Sequence, residues 1–173
     1  MTAPTRFDYR VEPLANHHDR TAFACGQDSL DRYLKTQASQ DMRRKANAVF
    51  VLVEPDKPTH IIGYFTLCAF AIEPGAVPIE IRKHIARYPL ISATLIGRLA
   101  VSTSNQGQGL GSMLLARALR LAYDNAETVG SSMIVVDALD EAAARFYRTH
   151  GFIQLNDTMR LILPVVTLGK LSG

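Results

Sequence analysis

Hydrophobic residues recur along the first half of the chain with two different periods. Apolar side chains every three or four positions predict a helix from Asp28, as its N-cap, to about Arg44. The β-branched and aromatic run Ala48–Val53 is followed by a proline-rich turn and by a longer apolar run over residues 60–72. Two such runs around a turn predict a pair of strands.

The second half alternates strands with helices. A strand over residues 92–101 leads into a glycine-rich segment and then into an amphipathic helix from Ser112 to Glu127. After it the pattern predicts a strand, a helix and two short strands: 133–136, 140–150, 152–155 and 159–163. Turn-joined strands followed by helix-joined strands predict an α/β fold of mixed α+β type, with a central mixed sheet flanked by helices.

Composition limits the class of protein. The 173 residues are 47% hydrophobic and 20% charged, which predicts one globular domain over residues 1–173. Cys25 and Cys68 lack metal-ligand spacing, which excludes a thiolate zinc site and a disulfide-rich secreted scaffold and fits a reducing cytoplasm. No stretch reaches 18 uncharged apolar residues, so neither membrane spanning nor export is expected.

Positive charge is concentrated in two segments. The net charge is +3, but no carboxylate lies between Glu80 and Asp124 or between Asp41 and Glu54. The first segment includes Arg82, Lys83, Arg87 and Arg98, and the second includes Arg43, Arg44 and Lys45. These cations are either solvated helix faces or contacts for an anionic partner, and Arg98, inside an apolar strand, is expected to face a dimer partner or an internal acid.

The segment Gln106–Gly111 contains three glycines directly before a predicted helix. Such a loop turns backbone N–H groups toward one point, and the helix dipole adds positive potential, so the pattern predicts a site for a nucleotide-like phosphate. The segment lacks both the Gly-Lys-Ser/Thr ending of the ATP-binding loop and the G-x-G-x-x-G spacing of the dinucleotide loop. The alternative is a simple tight turn.

Gln106-x-x-Gly109-x-Gly111, the strand before it and Ala143-x-x-Phe146-Tyr147-x-x-x-Gly151-Phe152 after it together resemble the acetyl-CoA-binding core of the GNAT acetyltransferase superfamily. The resemblance implies a mostly antiparallel sheet that is splayed at the acetyl-CoA site. It also implies that acetyl-CoA is the cosubstrate, that Tyr147 lies near the thioester sulfur, and that the strand offers main-chain groups to the pantetheine arm. The residues implied to bind the cofactor are Leu99, Val101, Gln106, Gly107, Gln108, Gly109, Leu110, Gly111 and Ser112.

A narrower resemblance includes the N-terminal half. Phe23-x-Cys25-Gly26-x-x-x-Leu30-Asp31-x-Tyr33-Leu34 and Ile96-Gly97-Arg98-Leu99-Ala100-Val101 are similar to segments of the GNAT toxins of bacterial toxin–antitoxin pairs. That group acetylates the α-amino group of charged tRNA, blocks translation, and is neutralised by a ribbon-helix-helix antitoxin through which it reaches DNA and represses transcription. The tRNA-binding residues would then be Arg43, Arg44, Lys45, Arg82, Lys83 and Arg87, and we also expect a homodimer.

The residues restrict the chemistry. Attack of an amine on a thioester needs no nucleophilic residue, and an α-amine with a pKa of about 7.7 to 8.0 is partly neutral at cytoplasmic pH, so no carboxylate base is expected. Asp137 and Asp140 are the plausible carboxylates, and Asp140 is interpreted as a helix N-cap. Tyr147 would donate a hydrogen bond to the leaving thiolate. The histidines lack metal-ligand spacing, and no metal is expected.

Two alternative functions stay open at this point. One is a GNAT enzyme that acetylates a small amine or a protein N-terminus. The other is a non-catalytic acyl-CoA-binding co-repressor.

Overall fold

The computed structural model describes residues 8–169 of the chain. Its strands are β1 (Arg10–Pro13), β2 (Ala48–Val53), β3 (Gly63–Ile72), β4 (Ile91–Val101), β5 (Met133–Asp137), β6 (Ile153–Gln154) and β7 (Arg160–Pro164). Its α-helices are α1 (Asp28–Thr36), α2 (Ala38–Arg43), α3 (Ile79–Arg82), α4 (Leu110–Thr128), α5 (Glu141–Thr149) and α6 (Val165–Gly169). Short 3₁₀ turns at Pro74–Ala76 and Thr103–Asn105 precede α3 and α4.

The strands form one seven-stranded sheet in the order β1-β2-β3-β4-β5-β7-β6. β2 runs antiparallel to β1 and β3, and β7 runs antiparallel to β5 and β6. β4 and β5 are parallel, with Ala93 opposite Met133 and Ile96 opposite Val136. This arrangement confirms the predicted mixed, mostly antiparallel sheet.

The chain divides into two compact units. The first consists of residues 1–67 and 98–118, and the second of residues 68–97 and 119–173. β3, β4 and α4 each pass from one unit into the other. The single domain expected over residues 1–173 stays a prediction.

Each unit has its own hydrophobic core. In the first unit the buried side chains of α1, β2 and β3 pack together, with Phe23, Leu34, Val51 and Tyr64 at 1% exposure or less. In the second unit β5 supplies Met133 and Val135, which pack with Ile162 of β7 and Ile91 of β4. Alternate residues of the strands supply these cores, as the period of two requires.

Several predicted element boundaries are wrong, among them the start of the strand expected over residues 60–72, which begins at Gly63. The helix expected over residues 28–44 is two helices, α1 and α2, which meet at Gln37 (φ −119°, ψ −30°). Asp28 is the first residue of α1 rather than its N-cap, a position held by Gln27. Helix α4 begins at Leu110, two residues before the predicted start. Strand β1 and helix α6 were not predicted.

Within residues 8–169, none of the helices combines the length and the apolar character needed to cross a lipid bilayer. The longest of them, α4, has 19 residues and exposes Arg117 and Arg120.

Candidate active site

The glycine-rich loop joins β4 to α4 within the first unit. Gly107 (φ +81°) and Gly109 (φ +75°) both have left-handed backbone conformations, which side chains with a Cβ adopt at a cost. A Cβ built on Gly107 would have no atom within 4 Å, so the loop borders open space there. The two glycines are therefore explained by the backbone path of the loop and by access to its amides.

The first turn of α4 follows directly. The amide of Met113 donates to the carbonyl of Gly109 (3.3 Å), so the hydrogen-bond ladder of α4 starts at Met113. In any α-helix the amides of the first turn have no acceptor within the helix and lie at the positive end of its dipole. The first turn of α4 contains no acidic residue. Leu110, Gly111 and Ser112 are therefore placed where an anion is favoured.

Gln106 holds the loop in position through its side chain. Its Nε2 atom donates to the carbonyls of Cys25 and Val101, at 3.0 Å each. The Ser102 amide also donates to Ile62 and the Thr103 amide to Ala24, at 2.8 Å each. The Gln106 side chain thus fixes the loop between β4 and the segment before α1. A phosphate bound at this loop would be held by backbone amides instead of by that side chain.

The end of β4 carries Leu99 and Val101, both half-buried. The register of β4 with β5 covers Ala93 to Ile96, whereas β4 itself continues to Val101. The pairing with β5 thus ends before the part of β4 that was expected to bind the cofactor. Whether Leu99 and Val101 bind pantetheine stays a prediction.

Tyr147 lies on α5 in the second unit and is 8% exposed. Phe146 and Phe152 pack edge-on against its ring, with ring centroids 5.3 and 5.4 Å away. Burial raises the pKa of Tyr147 to about 12. The Tyr147 hydroxyl has no hydrogen-bond partner within residues 8–169. In that part of the chain Thr66 Oγ1 is the one side-chain polar atom that is both fully buried and unpartnered, so the Tyr147 hydroxyl is not fully buried and retains access to solvent. A buried ring with an accessible hydroxyl suits a hydrogen-bond donor.

The plausible carboxylate bases have structural partners. Asp137 accepts hydrogen bonds from Nε and Nη2 of Arg160 at 2.8 and 3.0 Å. Asp140 is the N-cap of α5 and accepts from the amide of Ala143 at 2.8 Å, which confirms its predicted capping role.

Cys25 also serves the fold. Its amide donates to Asp31 Oδ1 at 2.9 Å, and its carbonyl accepts from Gln106. Burial, followed by the hydrogen bond to Asp31, raises the pKa of the Cys25 thiol to about 11. A thiol that stays protonated at neutral pH is a poor nucleophile, which agrees with the expected absence of an acyl-cysteine step.

Arg98 lies against an aromatic ring, whereas a dimer partner or an internal acid was expected. Its guanidinium carbon lies 3.5 Å from the centroid of the Tyr33 ring. Tyr33 in turn donates from its hydroxyl to Asp41 at 2.8 Å. Hydrogen bonds from Gln37, Tyr33 and Asn47 lower the pKa of Asp41, and the charge of Arg98 lowers it further. No sequence motif links Arg98 to Tyr33, and this cation–π pair was missed.

The predicted tRNA-binding cations are placed in both units. Arg43, Arg44 and Lys45 are exposed at the end of α2 in the first unit. In the second unit Lys83 and Arg87 are exposed, and the half-buried Arg82 donates from Nη1 to the carbonyl of Pro74 at 3.2 Å. None of the six forms an ion pair with a residue between 8 and 169. Their union into one surface stays a prediction.

Glu12, His17 and His18 lie close enough to suggest metal ligands. Nδ1 of the buried His18 accepts from the amide of Ala15 at 2.9 Å, and its Nε2 lies 2.7 Å from Glu12 Oε1. An accepting Nδ1 assigns the proton of the neutral ring to Nε2, which then donates to the carboxylate. The donor set therefore fits a structural hydrogen bond rather than a metal site.

Comparison with known proteins gives a consistent result. Residues 46–154 match the family model described as an acetyltransferase (GNAT) domain. A tRNA-acetylating toxin of Mycobacterium tuberculosis (strain ATCC 25618 / H37Rv) is 29% identical over 161 residues, which cover 92% of this chain and 94% of that protein.

Solved structures of the protein AtaT are similar over most of both chains. AtaT complexed with acetyl-methionyl-tRNAfMet has a TM-score of 0.88 and 31% identity, covering 96% of this chain and 100% of AtaT. An AtaT mutant toxin bound to the C-terminus of the antitoxin AtaR and to acetyl-CoA has a TM-score of 0.80 and 29% identity, covering 95% and 98%. The AtaT–AtaR complex bound to DNA has a TM-score of 0.75 and 29% identity, covering 95% and 99%.

Proposed function

The chain belongs to the GNAT acetyltransferase family, and on that premise we propose that it is a toxin that uses acetyl-CoA to acetylate the α-amino group of aminoacyl-tRNA. Acetylation removes the amine that peptide-bond formation requires, so translation stops. The similarity to tRNA-bound AtaT carries this proposal, since it extends over 96% of this chain at 31% identity.

We assign acetyl-CoA binding to the loop and to the end of β4. The left-handed backbone at Gly107 and Gly109 and the first turn of α4 fit a diphosphate, because both present amides at a positive helix end. Gln106, Gly107, Gln108, Gly109, Leu110, Gly111 and Ser112 would hold the diphosphate, and Leu99 and Val101 the pantetheine arm. When bound, acetyl-CoA supplies the activated acetyl group.

The chain's own residues would then polarise the thioester and assist the departure of the thiolate. A main-chain N–H near Val101 would donate to the thioester oxygen, where negative charge develops as the amine attacks. Tyr147 would donate a hydrogen bond to the departing thiolate. No carboxylate takes the amine proton in this scheme, because Asp137 and Asp140 are held by Arg160 and by the Ala143 amide. Water can take that proton from an amine with so low a pKa.

Six cations would supply most of the affinity for tRNA. Phosphate contacts dominate the binding of nucleic acids, and cations without carboxylate partners are free to make them. The residues are Arg43, Arg44, Lys45, Arg82, Lys83 and Arg87, which form no ion pair within the described part of the chain.

The partners proposed for this chain follow from the same resemblance. We assign it a ribbon-helix-helix antitoxin that covers and neutralises it in the cytoplasm. Contact with DNA, and with it repression of transcription, would occur through that antitoxin. We also propose that two copies of this chain form a homodimer.

Transfer of labelled acetyl-CoA to defined acceptors tests the function. Parallel reactions would contain charged tRNA, the same tRNA without its amino acid, a polyamine, and a peptide with a free N-terminus. We expect label on charged tRNA alone, because only that acceptor combines an α-amine of lowered pKa with a polyanion. Equal labelling of the polyamine or the peptide would replace the proposal with a small-amine or protein N-terminal acetyltransferase. Acetyl-CoA binding with no label on any acceptor would favour the non-catalytic co-repressor.

A further inference from the structure

A pocket of about 560 Å³ lies in the second unit between α3 and the start of β4. Its volume is within the range of small-ligand sites. Apolar side chains, among them Ile79, Ile85 and Ile91, form part of the lining, and Tyr88 and three cations form the rest. Its cations are among those proposed to bind tRNA, but the acetyl-transfer chemistry itself uses no residue of this pocket.

Tyr88 gives the pocket an exposed aromatic ring. Its relative exposure is 69%, among the largest of any large hydrophobic side chain between residues 8 and 169. The Tyr88 amide donates to the carbonyl of Ala86 at 3.1 Å, so a tight turn fixes the backbone that presents the ring. Its hydroxyl has no hydrogen-bond partner within those residues. An aromatic ring placed in this way offers a π-face to a ligand.

Three cations line the same pocket as the Tyr88 ring. Arg82, Lys83 and Arg87 all line the pocket and belong to a stretch without any carboxylate between Glu80 and Asp124. The bond from Arg82 Nη1 to the carbonyl of Pro74 orients that guanidinium, whereas Lys83 and Arg87 extend into solvent. The pocket therefore combines one stacking surface with uncompensated positive charge.

We propose that this pocket binds one unpaired nucleotide of an RNA strand, with its base stacked on Tyr88 and its phosphate held by Lys83 and Arg87. Stacking on an aromatic ring with cations along the backbone is how proteins bind single-stranded nucleic acid. A protein partner could also bury the exposed Ile79, but it would have to supply negative charge for three cations. An RNA strand supplies that charge, because each of its phosphates is negative. This inference rests on the proposed function and identifies where that substrate is held.

The chain contains no tryptophan, so Tyr88→Trp creates a single fluorescent reporter at the pocket. Tyr123→Trp, on α4 and outside this pocket, is the matched control. We expect tRNA without its amino acid, and a short single-stranded RNA, to quench the Tyr88→Trp emission, a matched duplex to quench it weakly, and none of them to quench the control. Absence of quenching by both ligands, or equal quenching of the two variants, would overturn the proposal. A change of emission on protein dilution alone would identify the surface as a contact between copies of this chain.

Tyr88→Ala and Tyr88→Phe separate stacking from loss of the hydroxyl. We expect Tyr88→Ala to raise the dissociation constant for the single-stranded RNA roughly 5- to 150-fold, the range of one base–aromatic stack. Tyr88→Phe should bind like the wild type, because phenylalanine keeps the ring. In acetylation assays the alanine variant should raise KM for charged tRNA and leave kcat unchanged.

The binding and activity assays have distinct failures. If charged tRNA is not acetylated but the RNA still quenches Tyr88→Trp, the proposed function fails and the nucleotide site stands. If charged tRNA is acetylated and Tyr88→Ala leaves both the dissociation constant and KM unchanged, the nucleotide site fails alone.

Discussion

At the scale of single residues, the environment of Tyr147 limits what its hydroxyl can do. A thiol like that of coenzyme A has a pKa of about 8.5, and burial raises the pKa of Tyr147 to about 12. Complete proton transfer from the phenol to the thiolate is therefore uphill by about 3.5 pKa units, or about 5 kcal/mol, more than the gap of about 1.5 units expected for an ordinary phenol. In the proposed mechanism Tyr147 would therefore stabilise the thiolate through a hydrogen bond, with the proton following late.

We expect Tyr147→Phe to lower kcat by about 10² to 10⁴, the usual contribution of a positioned proton donor. Its dissociation constant for acetyl-CoA should change less than about 2-fold, because the aromatic contacts with Phe146 and Phe152 remain. Single-turnover assays with labelled acetyl-CoA measure the rate, and calorimetry measures the affinity. Unchanged turnover would remove Tyr147 from the mechanism.

The pH dependence distinguishes an unassisted amine from a carboxylate base. The neutral fraction of the amine should raise kcat/KM about tenfold per pH unit below its pKa and produce a plateau above about pH 8. Tyr147 stays protonated throughout, because its pKa is raised, so no decline is expected up to about pH 9.

Asp137→Asn is the matched variant for that profile. It breaks a partly exposed ion pair with Arg160, so the free energy of unfolding should fall by at most about 1 kcal/mol. Its pH profile should match that of the wild type. A fall in kcat/KM of about 10²-fold or more in Asp137→Asn would instead identify this carboxylate as the base.

Residues differ in how well sequence predicts their roles. Asp140 was predicted as an N-cap because capping depends on a few neighbouring residues, here the amide of Ala143. Arg98 was not predictable in the same way, since its partner Tyr33 is distant along the chain and only the packing of α1 brings the two together. Roles that depend on local backbone geometry can be predicted from the sequence, whereas roles that depend on tertiary contacts cannot.

At the scale of elements, hydrophobic periodicity located most helices and strands but misplaced their ends. The run over residues 28–44 keeps a helical period through Gln37, so nothing in the pattern marks the break between α1 and α2. Strand β1 has only four residues and two of them are exposed, which leaves too little alternation to detect. The glycine loop was located because its left-handed positions require glycine itself.

We expect Gly109→Ala to weaken binding of acetyl-CoA about tenfold or more, since alanine resists the φ of +75° that orients the loop amides. Acetyl-pantetheine, which lacks the diphosphate, should bind the variant and the wild type equally. Gly130→Ala is the control: a Cβ there meets no atom within 4 Å and the backbone is not left-handed, so both affinities should be unchanged. Calorimetry with the two ligands measures all four comparisons. Equal weakening toward both ligands would show that the loop does not bind the diphosphate.

At the scale of the whole molecule, charge follows directly from the sequence, whereas its arrangement in space does not. The absence of carboxylates between Glu80 and Asp124 is a property of composition alone. The structure adds that Arg43, Arg44 and Lys45 belong to one compact unit and that Arg82, Lys83 and Arg87 belong to the other. A polyanion as long as tRNA can engage both sets, and each cation that contacts a phosphate displaces counterions from the RNA.

The salt dependence of the tRNA dissociation constant measures the number of those contacts. A plot of log Kd for tRNA against log salt concentration, from about 50 to 200 mM, should have a slope that falls by roughly 0.7 to 0.9 for each phosphate contact removed. We expect replacement of Arg43, Arg44 and Lys45 by glutamine to lower the slope by about 2 to 3, replacement of Arg82, Lys83 and Arg87 to lower it by a similar amount, and the two changes to add. Arg120→Gln is the control, because Arg120 already pairs with Asp124 at 3.2 Å on α4. If one triple replacement behaves like this control while the other accounts for the whole decrease, tRNA contacts only that set of cations, and the second set is a solvated surface.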